Sequence, residues 1–179
     1  MMSLNFSKTK FSTLLLSLGL LSTVAFAGTA DSKMFVKNAA RDGMAEVALA
    51  NLALQMASNP DIQSFAKHMI EDHTMANDRL AELATAGKVS LYKDVTPKQK
   101  STKNRLAKLN DRNRSFDRAY LKEAIADHQK AIKAYEKQSK YGTDADIKAF
   151  AAETLPKLKM HLDMAAALQT KIGEKKQEN

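Results

Sequence analysis

Residues 59–83 read NPDIQSFAKHMIEDHTMANDRLAEL. Asn59 is a good N-cap and Pro60 suits the first helical position, so a helix starts here, and Gly87 ends it. From Ile62 onward apolar side chains return every three or four residues, through Phe65/Ala66, Met69, Ala76, Leu80 and Leu83. At about 100° per residue that spacing is one buried stripe. One position on the stripe is not apolar. His73 lies at its centre, half way along the helix.

The same reading extends in both directions. A preceding helix starts after Asp31-Ser32 and runs to about Ala57, with the stripe Phe35, Ala39, Asp42, Glu46, Leu49, Ala53, Met56. A third starts at Ser115, carries Asp117 in its first turn and ends at Tyr141-Gly142; its stripe is Leu121, Ala124, His128, Ala131/Ile132, Tyr135. A fourth is capped by Thr143, has Asp144 and Asp146 at its dipole's positive end and closes at Gly173. Its stripe runs Ile147, Phe150/Ala151, Thr154, Leu158, His161/Leu162, Ala165, Leu168, Ile172, and Pro156 is expected to bend or bulge it.

The first and last pairs are joined by very short connections and form antiparallel hairpins. Lys88 to Arg114 is a long crossover with a short helix beginning at Thr96-Pro97. The expected fold is therefore all-α: a ferritin-like up-down four-helix bundle of two antiparallel hairpins joined by a long crossover with a short helix. The bundle domain is 28–173, its basic crossover 87–115, and 174–179 a disordered polar tail. Asp61-Ile62-Gln63-Ser64-Phe65-Ala66 is echoed by Asp146-Ile147-Lys148-Ala149-Phe150-Ala151, which relates the two hairpins.

Each helix contributes one titratable residue near mid-length on its core-facing side, and midpoints of antiparallel helices share a level. Glu46, His73, His128 and His161 should converge. Burying an unpaired carboxylate costs several kcal/mol and an unsatisfied imidazole ~1–3, so such a layer requires mutual hydrogen bonds, water or a metal. Imidazoles with one carboxylate suit a first-row transition metal: iron, zinc, manganese or copper. Asp72 and Asp127, each just before a stripe histidine, lie about 100° off the seam and are weaker candidates as ligands or outer partners. Asp42, one turn before Glu46, is a third. Met69, one turn before His73, reads as core packing, although its thioether would favour copper. His68 falls on another face of the helix and reads as a surface histidine. Haem between two histidines needs room that the small alanines on the seams would have to leave.

The N-terminus reads as a signal peptide over 1–27. Lys8 and Lys10 precede an apolar run from Phe11 to Phe26, and Ala25-Phe26-Ala27 places cleavage after Ala27. The run is shorter than the ~20 apolar residues of a membrane span, so no transmembrane segment is expected after processing. A periplasmic or otherwise exported protein follows. Among 179 residues there is no cysteine and no tryptophan, which excludes disulfides, zinc fingers, iron–sulfur clusters and cysteine nucleophiles. The 28 Lys+Arg outnumber the 20 Asp+Glu. Nine of the basic residues lie in Lys88–Arg114, against two acids, Asp94 and Asp111. That charge fits anionic envelope lipid or a polyanion. Export argues against intracellular nucleic acid as a partner.

Phe35-Val36, Ala45-Glu46-Val47, Phe65-Ala66 with Met69, Asp72-His73, Phe116-Asp117-Arg118-Ala119-Tyr120, His128, Phe150-Ala151, Leu155-Pro156 and His161-Leu162 resemble the bacterial exported proteins of domain-of-unknown-function family 4142. The resemblance covers about Lys33 to Leu168. It implies a ferritin-like fold and an export signal, without an established activity, and the wider ferritin-like superfamily implies a metal centre. Di-iron members place Glu three residues before His on two helices. Here those positions are Ile70, Ile125 and Leu158, which argues against a carboxylate-bridged di-iron site. Two functions are expected on these grounds: an exported bundle with a transition-metal site in its core, or a non-catalytic envelope stress or interaction protein. In the second, the His/Glu layer is structural and the crossover docks on anionic components.

Overall fold

The computed structural model describes residues 30–109 and 115–174. The expected signal peptide, its cleavage site at Ala27, the tail beyond Glu174, and Arg112 and Arg114 of the crossover lie outside the described residues. Five helices follow in order: α1 (Ala30–Met56), α2 (Pro60–Ala86), α3 (Pro97–Leu106), α4 (Ser115–Tyr141) and α5 (Ala145–Glu174). There is no strand among the described residues.

The helix ends are set by local chemistry. Asn59 Oδ1 accepts from Asp61 N at 2.9 Å, with Pro60 behind it, so α2 begins where the cap dictates. Thr96 and Gln99 form a reciprocal capping box at the start of α3. Helix α5 departs from expectation by one residue. Asp144, not Thr143, takes the capping position, its Oδ1 accepting from Ile147 N at 3.0 Å. A carboxylate there also faces the helix dipole's positive end. Helix α5 also continues unbroken through Pro156. The carbonyl deprived of its donor belongs to Ala152, which is exposed, as is Pro156 itself. Water can serve that carbonyl, so the proline is accommodated without ending the helix.

The hairpins α1/α2 and α4/α5 pack on each other with α1 against α4 and α2 against α5. Side-chain links give the directions. Ser58, two residues past the end of α1, donates through N and Oγ to Asp117 at the start of α4, while Gln138 near the end of α4 donates to Ser32 near the start of α1. Helices α1 and α4 are therefore antiparallel. Lys157 to Asp72 and Lys171 to Asp61 show the same for α2 and α5. Helices α2 and α4 then run the same way, which requires the crossover to traverse the bundle's whole length. It lies along the α1/α4 side: Tyr92 beside Met34, Gln99 on Asp42, Arg105 on Glu123, and Leu106 buried.

The core is in two parts. One contains Leu49, Ala53, Ile62, Phe65, Met69, Phe116, Tyr120 and Leu121; the other contains Val36, Leu80, Leu83, Tyr135, Ile147, Phe150 and Leu158. Each fully buried large apolar side chain contributes roughly 1.5–3 kcal/mol. Between these two apolar halves the helices place their polar layer.

Candidate metal centre

The structure brings Glu46, His73, His128 and His161 together at mid-bundle, one from each long helix. All four are buried, between 0 and 7% exposed. The three imidazole rings stand with centroids 5.3–5.5 Å apart, and each ring offers a nitrogen within 4.8 Å of those of the other two. His68 is exposed on the outer face of α2, as its phase required.

The hydrogen bonds determine which nitrogens carry protons. His128 Nδ1 lies 2.8 Å from the Ala124 carbonyl, which can only accept, so Nδ1 is the donor; Glu46 Oε1 is 3.4 Å from the same atom. Burial, aided by protonated His73, holds His128 below the usual imidazole range, so its Nε2 carries a lone pair. His161 Nε2 lies 2.9 Å from Asp72 Oδ2. Burial works against Asp72's charge, but Lys157 at 2.6 Å and His161 hold its carboxyl below the ordinary range, so the carboxylate accepts and Nε2 donates. Burial, with His73 and His128 nearby, drives the His161 imidazole down to about 4. Its Nδ1 is therefore also a lone pair.

These two lone pairs face each other, His128 Nε2 to His161 Nδ1, at 3.3 Å. Neither can donate to the other. The proton that would join them is disfavoured on both rings. A cation between them removes the conflict, and a tetrahedral ion with bonds of ~2.1 Å separates its donors by about 3.4 Å. The facing nitrogens already stand at that separation, and no macrocycle fits between them.

His73 and Glu46 complete the layer. Burial opposes ionisation of Glu46, yet the three histidines, His73 foremost, hold its carboxyl down to about 2. Burial likewise disfavours a charged His73, and the Glu46 carboxylate more than reverses that. His73 Nε2 approaches Glu46 Oε2 to 2.9 Å, but the N–H direction misses the oxygen, so the contact is an ion pair without a directed hydrogen bond. His73 Nε2 thus carries a proton in this pair, and it becomes a ligand atom only when a metal ion displaces that proton.

The three aspartates are not drawn into the cluster as ligands. Asp42 accepts from Gln99 Nε2 at 2.7 Å and Lys130 Nζ at 3.1 Å. Asp127 is half-buried in the wall of a cleft between α1 and α4, where burial and the charge of Glu46 push its carboxyl up to about 6. Asp72 acts across the bundle: a residue of α2 orients the imidazole of α5. Lys157, which anchors Asp72, was not singled out by the sequence; only its position one turn before His161 on α5 hinted at it. Met69 packs in the apolar core.

The family model described as "Domain of unknown function (DUF4142)" matches residues 22–168, and the chain belongs to that family. No curated protein matches it. Similar solved structures include that of a DUF305 fragment from Deinococcus radiodurans, at TM-score 0.72 and 12% identity, covering 80% of this chain and 98% of that one. CopM in its Cu(I)-bound form gives TM-score 0.66 at 14% identity, and in its Ag-bound form 0.64 at 15%; each covers 78% of this chain and 96% of the other. At these identities the likeness is one of fold. No helix among the described residues is long and apolar enough to cross a membrane.

Proposed function

For this DUF4142 protein we propose an exported helical bundle that binds one transition-metal ion through His73, His128 and His161, with Glu46 as the carboxylate. One observation supports it above all: two buried imidazole nitrogens, both lone pairs, face each other at 3.3 Å while their opposite nitrogens are committed to Ala124 and Asp72. Three imidazoles and one carboxylate favour copper or zinc over manganese, whose preferred ligands are oxygens. The CopM structures, whose fold this chain shares, are of Cu(I)-, Cu(II)- and Ag-bound forms, which puts copper first among the ions to test. A bound ion there supplies Lewis acidity or a redox couple, and Glu46 offsets part of its charge. Export follows from the basic and apolar leader ending at Ala27, and the basic crossover, Lys88–Arg114, is assigned to anionic envelope lipid.

The test is elemental analysis of the purified protein after exposure to equimolar copper, zinc, iron and manganese, beside His73→Ala and His161→Ala. About one ion per chain in the parent, and at least a tenfold loss in both variants, is the expected result. An ion content unchanged by both substitutions overturns the assignment and leaves the layer as a structural device.

A further inference from the structure

Two clefts approach the cluster from opposite sides, and they differ in charge. The one between α1 and α4 has a volume of about 290 Å³ and ends on Glu46 and His73. His73 is 7% exposed, and its Nε2 lies 2.9 Å from Glu46 Oε2 without a directed hydrogen bond, so the cleft's floor presents a carboxylate and a nitrogen that an arriving cation can take as the proton leaves. Along the walls stand Asp31, Asp42 and Asp127, with Lys130 and Lys137 as the opposing cations. Including Glu46, four carboxylates face two ammonium groups and the imidazolium of His73, which leaves the cleft acidic on balance. The crossover meets this cleft through Gln99, which donates to Asp42, and Lys130 holds the other oxygen of that carboxylate.

The cleft between α2 and α5, about 200 Å³, is balanced instead: Asp72 and Glu153 against Arg79 and Lys157. Lys157 sits 2.6 Å from Asp72, directly beside His161, and closes that approach to another cation. A cation in solution is thus attracted on one side of the bundle and met by a fixed ammonium on the other.

We propose that the α1/α4 cleft is the path by which a hydrated divalent cation reaches the imidazole cluster, with Asp42 and Asp127 as the carboxylates that hold it on the way. This rests on the metal reading above. Asp42, at the outer end, takes part in capture and not in the final coordination, because its oxygens are turned to Gln99 and Lys130. Charge at the mouth therefore sets the rate of uptake and leaves the affinity alone.

Stopped-flow uptake of Co²⁺, followed by its visible absorbance, tests this on the purified protein. Asp42→Asn keeps the shape and removes the charge; it should slow uptake about three- to tenfold at low salt. Lys130→Gln removes the opposing charge and should speed uptake by a similar factor. Both differences should vanish between about 10 mM and 1 M salt, where the screening length falls from ~30 Å to ~3 Å. Equilibrium affinity should stay within about twofold of the parent, since neither residue is a ligand. Glu153→Gln, in the opposite cleft, should change nothing. Rates equal to the parent's in both mouth variants, with binding intact, overturn the path alone. Slowing by Glu153→Gln, or loss of equilibrium binding in Asp42→Asn, overturns it as well. If the parent develops no Co²⁺ absorbance, the metal reading and the path fall together.

Discussion

Asp72 shows how far a single residue can be read from its neighbours in sequence. It stands beside His73, but its carboxylate accepts from His161, 89 positions later, and is held by Lys157 from the same distant helix. The stripe phases of Glu46, His73, His128 and His161 were legible, because spacing along one helix fixes which face a side chain takes. The partner of Asp72 was not, because it depends on how α2 and α5 pack. The pairing fixes His161 as the Nε2–H tautomer and leaves Nδ1 for an ion. Asp72→Ala should therefore weaken copper or zinc binding about 10- to 100-fold, the usual loss for an outer hydrogen-bond partner. Asp72→Asn should retain much of the affinity, since its amide oxygen can still accept from Nε2–H. Competition against a chromophoric chelator measures both. Equal affinity in parent, Ala and Asn forms would remove the orienting role and leave the carboxylate as a simple ion-pair partner of Lys157.

At the scale of elements, the echo between 61–66 and 146–151 gains a structural meaning. Ile62, Phe65 and Ala66 are buried in one apolar half, and Ile147, Phe150 and Ala151 in the other. Both segments begin the second helix of a hairpin, and those helices start at opposite ends of the bundle. The same short sequence thus builds the core at each end, on either side of the His/Glu layer. Local signals such as Asn59-Pro60 and Thr96-Pro97 were legible because a cap involves only adjacent residues. The survival of α5 through Pro156 was not, because it turns on which face of the helix meets water. Equivalent placement predicts equivalent cost. Ile62→Ala and Ile147→Ala, both replacing fully buried side chains, should each destabilise the fold by about 2–5 kcal/mol and agree to within about 1.5 kcal/mol. Urea unfolding with matched slopes measures this. A large cost at one site and none at the other would mean that only one half carries the bundle's stability.

Over the whole molecule, charge and chemistry are kept apart. The cluster lies in the core, while Lys88, Lys93, Lys98, Lys100, Lys103 and Lys108 stand exposed along the crossover without an ion pair among the described residues. The strap that bears them is fixed from beneath. Leu106 is buried, Gln99 bonds Asp42, and the Tyr92 ring lies under Lys37 at 4.6 Å and Arg41 at 4.2 Å. Charges on an anchored segment lose little freedom on meeting a charged surface, and a lysine near an anionic bilayer contributes about 1 kcal/mol. Among the described residues none of the exposed large apolar side chains lies on the strap, so attachment should be electrostatic, without insertion. The protein should sediment with vesicles containing phosphatidylglycerol and not with phosphatidylcholine alone. Joint Lys98→Gln, Lys100→Gln and Lys103→Gln should reduce the partition coefficient about 10- to 100-fold at low salt, and high salt should release the parent. Metal content should be the same in the triple variant, because Lys98, Lys100 and Lys103 neither belong to the cluster nor line the cleft that leads to it. Sedimentation equal for both lipids, or unaffected by the three substitutions, would make the strap a solvated surface whose role is to seat α3 over the α1/α4 cleft.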